Sequence, residues 1–315
     1  MKRFLVAKAV PTPTGAGITE EKLSSSRFRL GRWVREGLAA WLPALPLLIV
    51  AGAFLLLPTI QIVYQSVHNS ELGWTLQFWK DTFQSNGGRK SILTSIRLGL
   101  ISATIALFIG APLAWLISRM LTAKRSVWLA LMNVSANFGG IGLAFSYVAA
   151  LGTYGMVTLA FKDIGINFTP PQVGTLASLI LAYSYSNVPL FVLLTLPAMS
   201  ILRTDWMEAA EVAAASRFQF WRYVGLPILA PFFIAGWLLI FTWSLGIYGL
   251  AYALGANASA AGQLRLITLY IGLFLNTSAG REERAAVMAA LLLGMAAVSL
   301  ILYRLILRWA LRWFS

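Results

Sequence analysis

Six long apolar runs constrain this chain more than any other feature of its sequence. A helix that crosses about 30 Å of hydrocarbon needs roughly 20 mostly apolar residues, and each run is long enough for one crossing. The predicted spans are Leu38–Tyr64, Ile92–Ile117, Val127–Leu151, Val173–Ile201, Ala230–Ala253 and Arg284–Leu307. The chain is therefore predicted to be an all-α, polytopic membrane helical bundle of about six transmembrane helices.

The composition supports a membrane protein and argues against a nucleic-acid partner. Hydrophobic residues make up 58% of the chain and charged residues 11%, far from the values of an ordinary soluble domain. The net charge of +14 could suggest nucleic acid. Its cations, however, flank the apolar spans instead of forming one basic face. Membrane topology explains these cations better.

The cations also predict an orientation. Lys and Arg beside membrane spans are held preferentially on the cytoplasmic side, and an even number of spans places both termini together. Most of the cations fall on that side, in residues 1–37, after the second span (Arg119, Lys124, Arg125), in a central loop (Arg203, Arg217, Arg222) and near the C-terminus (Arg304, Arg308, Arg312). We therefore predict a multi-pass protein of the plasma (inner) membrane with both termini cytoplasmic.

Residues 1–37 are predicted to form a cytoplasmic tail ahead of a transmembrane domain, residues 38–315, with a cytoplasmic loop at 202–228. The first ten residues lack a long apolar core, so a cleaved signal peptide is not expected. Within Arg27–Trp41, cations alternate with apolar side chains. That pattern fits a basic helix on the membrane surface and a solvated lead-in equally well.

No residues in this sequence predict catalysis, a cofactor or a metal. The chain has no cysteine, which excludes disulfides and thiolate sites. It also lacks the G-x-x-x-x-G-K-[ST] loop, and so has no recognisable means of holding ATP. The single histidine, His68, fits a surface residue better than a metal site, because no ligand cluster accompanies it. We do not expect an enzyme.

The predicted spans carry very few ionisable residues. Ion-coupled transporters usually keep such residues at membrane depth, but here Arg97 is the best example. Its long stem can reach the interface from the second span, and this structural role is favoured over a place in a transport pathway. Gly139-Gly140-Ile141-Gly142 in the third span allows close backbone approach or a local break.

The loop between the fourth and fifth spans carries two successive helix-start patterns. Asp205 is predicted to cap a helix that begins at Trp206, with Glu208 able to reach back as in a capping box. Ser216 and Gln219 repeat this spacing. Pro227 would end or kink the second helix. Two short helices are expected, in an ordered docking element or in a plain interfacial hairpin.

The same loop resembles a known family. Glu208-Ala209-Ala210 is followed by Leu226-Pro227, with the proline nineteen positions after the glutamate. This pattern is similar to the EAA loop of permease subunits from binding-protein-dependent, type I ABC importers. A weaker resemblance extends from about Ser91 to Leu307.

The resemblance implies a type I ABC importer permease fold and a set of partners. A coupling helix in the loop would sit in a groove of a cytoplasmic ATPase subunit, with Glu208 as its polar anchor. ATP would bind in the ATPase subunits, and this chain would hold no cofactor. A second permease, a copy or a paralogue, and an external solute-binding protein would complete the importer. The implied ATPase-coupling residues are Glu208, Ala209, Ala210, Ala214, Ser216, Arg217, Leu226 and Pro227.

One departure from the family pattern affects the expected shape of the loop. Ala213 and Ala214 stand where Asp and Gly are common in the resembling permeases. Alanine favours continued helix by about 1 kcal/mol over glycine. The turn is therefore predicted to come later, near Ser216.

The predicted function is half of a translocation pathway for a small polar solute, with a resemblance nearest to spermidine/putrescine permeases. An ion-gradient-driven secondary transporter is the alternative from another class, and a non-transporting membrane scaffold is a third. Sparse buried charge and the loop pattern favour the importer.

Overall fold

The computed structural model describes residues 42–69, 73–256, 264–276 and 282–311. The predicted tail of residues 1–37 lies outside the described residues. The chain forms two compact units, residues 1–61 and 62–315.

The described residues form helices and one short hairpin. A 3-10 turn (Leu42–Ala44) precedes α1 (Leu45–Ala51), a π-helical segment (Gly52–Leu56) and α2 (Leu57–Val67). The hairpin is β1 (His68–Asn69) and β2 (Gly73–Trp74). The helices that follow are α3 (Gln77–Gln84), α4 (Asn86–Ser118), α5 (Thr122–Asn137), α6 (Gly140–Leu151), α7 (Met156–Asp163), α8 (Leu176–Met199), α9 (Thr204–Val212), α10 (Arg217–Phe220), a π-helical segment (Trp221–Gly225), α11 (Leu226–Gly246), α12 (Gly249–Ala256), α13 (Ile267–Asn276) and α14 (Glu282–Leu311).

Six helical stretches within the described residues are long and apolar enough to cross a membrane. They are Leu45–Val67, Asn86–Ser118, Gly140–Asp163, Leu176–Met199, Arg217–Gly246 and Glu282–Ala310. The predicted number of spans and the all-α class are confirmed.

The predicted third span, Val127–Leu151, is wrong as a single helix. Helix α5 ends at Asn137, and Gly139 is extended, with φ −147° and ψ −165°. Gly140 follows with φ +63°, a left-handed conformation that glycine adopts without strain. The backbone is therefore broken inside the apolar run, at the glycines that allow such a break.

The predicted fifth span, Ala230–Ala253, also differs from the structure. Helix α11 ends at Gly246, and Ile247 is extended before α12 begins. The hydroxyl of Tyr183 donates a 3.1 Å hydrogen bond to the Ile247 carbonyl oxygen. This bond satisfies a backbone acceptor that the interrupted helix leaves without an intrahelical partner, as an apolar environment requires.

One packed cluster of the second unit lies among α4, α8 and α11. Phe191 of α8 is fully buried there. A Cβ added at Gly110 would lie 2.7 Å from Phe191 Cδ1, and one added at Gly236 would lie 3.1 Å from Phe191 Cε2. These two glycines leave room for the phenyl ring, as small residues do between membrane helices.

His68 lies in an aromatic cluster at the hairpin. Its ring stacks on Tyr64 with centroids 4.7 Å apart and meets Trp74 edge to face at 5.5 Å. Within the described residues, no group of three or more His, Cys, Asp or Glu side chains could hold a metal ion.

Candidate functional site

Two short helices form the segment between α8 and α11, as the paired helix-start patterns predict. The first starts earlier than expected: its N-cap is Arg203, without a side-chain cap, and the predicted capping role of Asp205 is wrong. The Asp205 carboxylate instead pairs with the Arg203 guanidinium, Oδ2 to Nη2 at 2.6 Å. An acidic residue in the first turn still stabilises the positive end of the helix dipole.

Helix α9 ends at Val212, so the predicted turn near Ser216 is wrong. Ala214 has φ +55°, in the left-handed region. The amide of Ala215 donates to the Ala210 carbonyl at 2.9 Å, and the amide of Ala214 donates to the Glu211 carbonyl at 3.0 Å. These two bonds are the Schellman pattern, which usually has glycine where this chain has Ala214. The close start of α10 requires the chain to reverse here, against the local preference of alanine.

Helix α10 begins with the predicted capping box. The backbone amide of Gln219 donates to Ser216 Oγ at 3.3 Å, and the amide of Ser216 donates to Gln219 Oε1 at 2.7 Å. Two amides at the helix start are thereby satisfied by side chains of the same turn. The second helix start is confirmed.

The residues that the family resemblance implies for ATPase coupling lie mostly at the surface. Glu208, Ala209, Ala214, Ser216, Arg217, Leu226 and Pro227 are exposed, and Ala210 is half-buried. Val212, on the same helix as Glu208, is 89% exposed. Within the described residues, no hydrogen bond or ion pair engages the Glu208 carboxylate. Helix α9 therefore presents an acidic and partly apolar surface.

The opposite side of α9 faces a small cavity of about 150 Å³. Met207, Ala210 and Glu211 of α9 line it, together with Trp115 of α4 and Trp221. Phe220 also lines the cavity and is 5% exposed. The helix thus rests on an aromatic platform at the end of the bundle.

The sequence did not predict that Trp115 and Arg119, at the end of α4, contribute to this platform. Trp115 meets Trp221 edge to face, with ring centroids 4.8 Å apart. The Arg119 guanidinium lies 4.1 Å from the Trp115 ring centroid and donates a 3.3 Å hydrogen bond to the Leu202 carbonyl. In the sequence, Arg119 contributes only to the predicted membrane orientation, because no local pattern places the end of α4 beside the loop.

A second cavity lies near the start of α8, at the end of that helix away from α9. Its volume is about 500 Å³, and α7 and the segment before α8 line it. Lys162 is the charged side chain of the lining, and Asn167 and Gln172 contribute amides. Its lining mixes these polar groups with apolar side chains, and among the residues that line it no acidic side chain accompanies Lys162.

Comparison with known proteins identifies related sequences, although no family model matches the chain. The sulfate transport system permease CysT of Salmonella typhimurium is 26% identical over 234 residues, covering 72% of this chain and 78% of that protein. The molybdenum transport system permease ModB of Mycobacterium tuberculosis is 24% identical over 278 residues, covering 87% and 93%. The spermidine/putrescine permease PotB of Haemophilus influenzae is 27% identical over 165 residues, covering 52% and 58%.

Solved structures show the same fold. A bacterial ABC transporter that imports the acidic polysaccharide alginate aligns with a TM-score of 0.64 and 17% identity, covering 90% of this chain and 99% of that one. The alginate transporter in complex with its pentasaccharide-bound periplasmic protein aligns with a TM-score of 0.65 and 18% identity, covering 88% and 96%. The relatives are transport permeases and not enzymes. In sequence this multi-pass membrane chain is similar to transport-system permeases, and it has the fold seen in solved bacterial ABC transporters.

Proposed function

We propose that this chain forms half of the translocation pathway of an ATP-driven importer. A second permease, a further copy or a similar chain, completes the pathway, and an external solute-binding protein delivers the solute. ATP binds to two partner ATPase subunits, and this chain holds no cofactor. The relatives support the proposal because each is named as a transport-system permease, and a structural neighbour was solved with a periplasmic protein.

The observation that carries the proposal is the exposed surface of α9. Glu208 has no partner among the described residues, although a carboxylate can make strong charge-assisted hydrogen bonds. The helix that carries it rests on an aromatic platform formed by residues that include Trp115 and Trp221. An unengaged acidic group on a supported helix suits a docking contact with the ATPase.

The proposed orientation places residues 202–228 and both termini in the cytoplasm. The uneven distribution of cations supports it, since the loop contributes Arg203, Arg217 and Arg222. The absence of native cysteine makes the test direct. Single cysteines at Ser216 and Ser70 should label from the cytoplasmic and external sides respectively, and labelling of Ser216→Cys from outside would overturn the assignment.

Reconstitution with the ATPase and solute-binding protein tests the coupling role. Glu208→Ala and Glu208→Arg should weaken ATPase association at least about ten-fold, because a charged hydrogen-bonding partner is lost. Glu282→Ala is the matched control, an exposed acidic residue at the start of α14. Unchanged association and unchanged ATP-dependent uptake in both Glu208 variants would contradict the assignment.

Uptake assays also separate the importer from an ion-gradient-driven secondary transporter. The importer requires ATP and its ATPase partner, and an ionophore should leave uptake intact. A secondary transporter would carry solute as the purified chain and lose uptake when an ionophore collapses the gradient.

A small polar solute is proposed, and a polyamine-like solute is the finer candidate from the resemblance to spermidine/putrescine permeases. The match to PotB supports it over 52% of this chain. One observation favours an anion instead: α4, α8 and α11 contain no Asp or Glu, while Arg97 is exposed on α4. Competition of spermidine, sulfate and molybdate for uptake by the assembled importer distinguishes the two classes.

A further inference from the structure

The end of α4 contacts the start of the loop that carries α9. Arg119, directly after α4, donates its guanidinium Nη2 hydrogen to the Leu202 carbonyl at 3.3 Å, across 83 positions of sequence. Leu202 is 3% exposed and precedes α9 by two residues. A charged donor on a buried backbone carbonyl holds the loop entrance against α4.

The same end of α4 contacts the far side of the loop. The Trp115 ring meets Trp221, the residue that follows α10, with centroids 4.8 Å apart and planes at 81°. The Arg119 guanidinium lies 4.1 Å from the Trp115 ring centroid, a distance at which a cation is attracted to the ring face. Trp115 therefore contacts Trp221, near the end of the loop, directly, and it contacts Leu202, at the start of the loop, through Arg119.

Voids flank these contacts on both sides. The cavity beneath α9 has a volume of about 150 Å³, and a second of about 350 Å³ lies between Arg119, Arg125 and the entrance residues Arg203 and Asp205. Atoms across a void make no packing contact. Displacement of α9 therefore reaches the end of α4 through the side chains that bridge the voids and through the buried cluster that Leu202 shares with Ala114 and Ile117.

The last turn and a half of α4 can be displaced when α9 moves. Pro112 lies inside α4, and a proline removes one backbone hydrogen bond and kinks or loosens the helix there. Trp115 and Arg119 follow this proline. Ala114 and Ile117 of the same segment are buried in a cluster with Val192 of α8, so displacement of this segment also reaches α8.

We propose that Trp115 and Arg119 form a clasp that carries displacement of the loop into α4. The loop is covalently continuous with α8 and α11 only, so α4 receives its displacement through side-chain contacts. Trp115 and Arg119 are positioning residues and do not touch solute or ATP. The inference rests on the proposed importer function.

The test measures solute imported per ATP hydrolysed by the complete importer in proteoliposomes. Trp115→Leu and Arg119→Gln should keep ATPase association but lower this ratio at least about five-fold, a small allosteric coupling energy. Trp115→Phe keeps a ring and should restore at least half of the ratio. Trp128→Leu and Lys124→Gln, exposed residues of α5 near the end of α4, should match the wild type.

Each outcome of these measurements either supports or overturns the proposed clasp. An unchanged ratio in both Trp115→Leu and Arg119→Gln overturns the clasp, and so does loss of ATPase binding by Arg119→Gln, which would make Arg119 a docking residue. If Trp115→Leu does not assemble, Arg119→Gln against Arg119→Lys decides alone: a reduced ratio in the glutamine variant that lysine partly restores supports the clasp. A wild-type importer without ATP-driven uptake would refute the proposed function itself, before any variant is compared.

Discussion

The side-chain amide of Asn187 donates a 2.9 Å hydrogen bond to the hydroxyl of Ser244, 57 positions later in the chain. Both residues are buried, Asn187 completely and Ser244 at 3% exposure. The bond joins α8 to α11 inside the bundle, where a side-chain N–H group without an acceptor would be costly. It is a direct polar contact between two long apolar helices.

Asn187→Ala and Ser244→Ala should therefore be coupled in stability. We expect Asn187→Ala to lower the free energy of unfolding in detergent by about 1 kcal/mol. The double-mutant cycle should give a coupling of about 0.6 kcal/mol, typical of hydrogen bonds between membrane helices. Denaturant-induced unfolding of the purified variants measures both values, and strictly additive effects would show that the bond contributes nothing.

Ala214 offers a stabilising substitution, because its left-handed backbone strains any residue with a Cβ. Ala214→Gly should raise the free energy of unfolding by about 0.5–1 kcal/mol, which is the left-handed strain of about 1–2 kcal/mol less the larger backbone entropy that glycine loses on folding. Ala213 has φ −76°, so Ala213→Gly is the matched control and should not stabilise. Hydrogen exchange of the Ala214 and Ala215 amides reports the loop directly; faster exchange in Ala214→Gly would contradict the backbone assignment.

The capping box at Ser216 should be measurable in the same way. Ser216→Ala removes the acceptor for the Gln219 amide and should destabilise α10 by about 1 kcal/mol. Ser216→Asp retains a capping oxygen and is expected to keep the protection of that amide against hydrogen exchange. Equal exchange rates in the alanine and aspartate variants would mean that the box does not hold the helix start.

Gly110→Ala should destabilise the core of the second unit. Its new Cβ would approach Phe191 Cδ1 to 2.7 Å, and overpacking of this kind costs about 1–3 kcal/mol. Gly142→Ala is the matched control, since nothing lies within 4 Å of the Cβ it would add. Thermal unfolding in detergent compares the two, and Phe191→Leu in the Gly110→Ala background should recover part of the loss.

Local signals in the sequence were sufficient for the number of spans and for the start of the second helix of the loop. Apolar runs of sufficient length predict crossings whatever surrounds them. The capping box is equally local, because Ser216 and Gln219 satisfy each other within one turn. The N-terminus of α9 was misplaced by two residues, since the pairing of Asp205 with Arg203 competes with the capping role that the spacing suggests.

The interruptions of the helices needed more than local preference. The glycines at 139 and 140 permit a break, but an unbroken apolar run gives no sign that the break is used. At Ala214 the propensity of alanine indicated continued helix, and the reversal between α9 and α10 overrode it. A single left-handed alanine costs about 1–2 kcal/mol, which two capping hydrogen bonds and a supported loop can offset.

By itself, the sequence determined that this chain crosses a membrane about six times and carries a two-helix loop with an acidic surface. Both properties depend on neighbouring residues, through hydrophobic length and hydrogen bonding within a turn. Only the tertiary structure decided that the end of α4 lies against both ends of that loop, where Trp115 meets Trp221 and Arg119 meets Leu202. Helix packing brings these residues together across long stretches of chain, and no local pattern records such a contact.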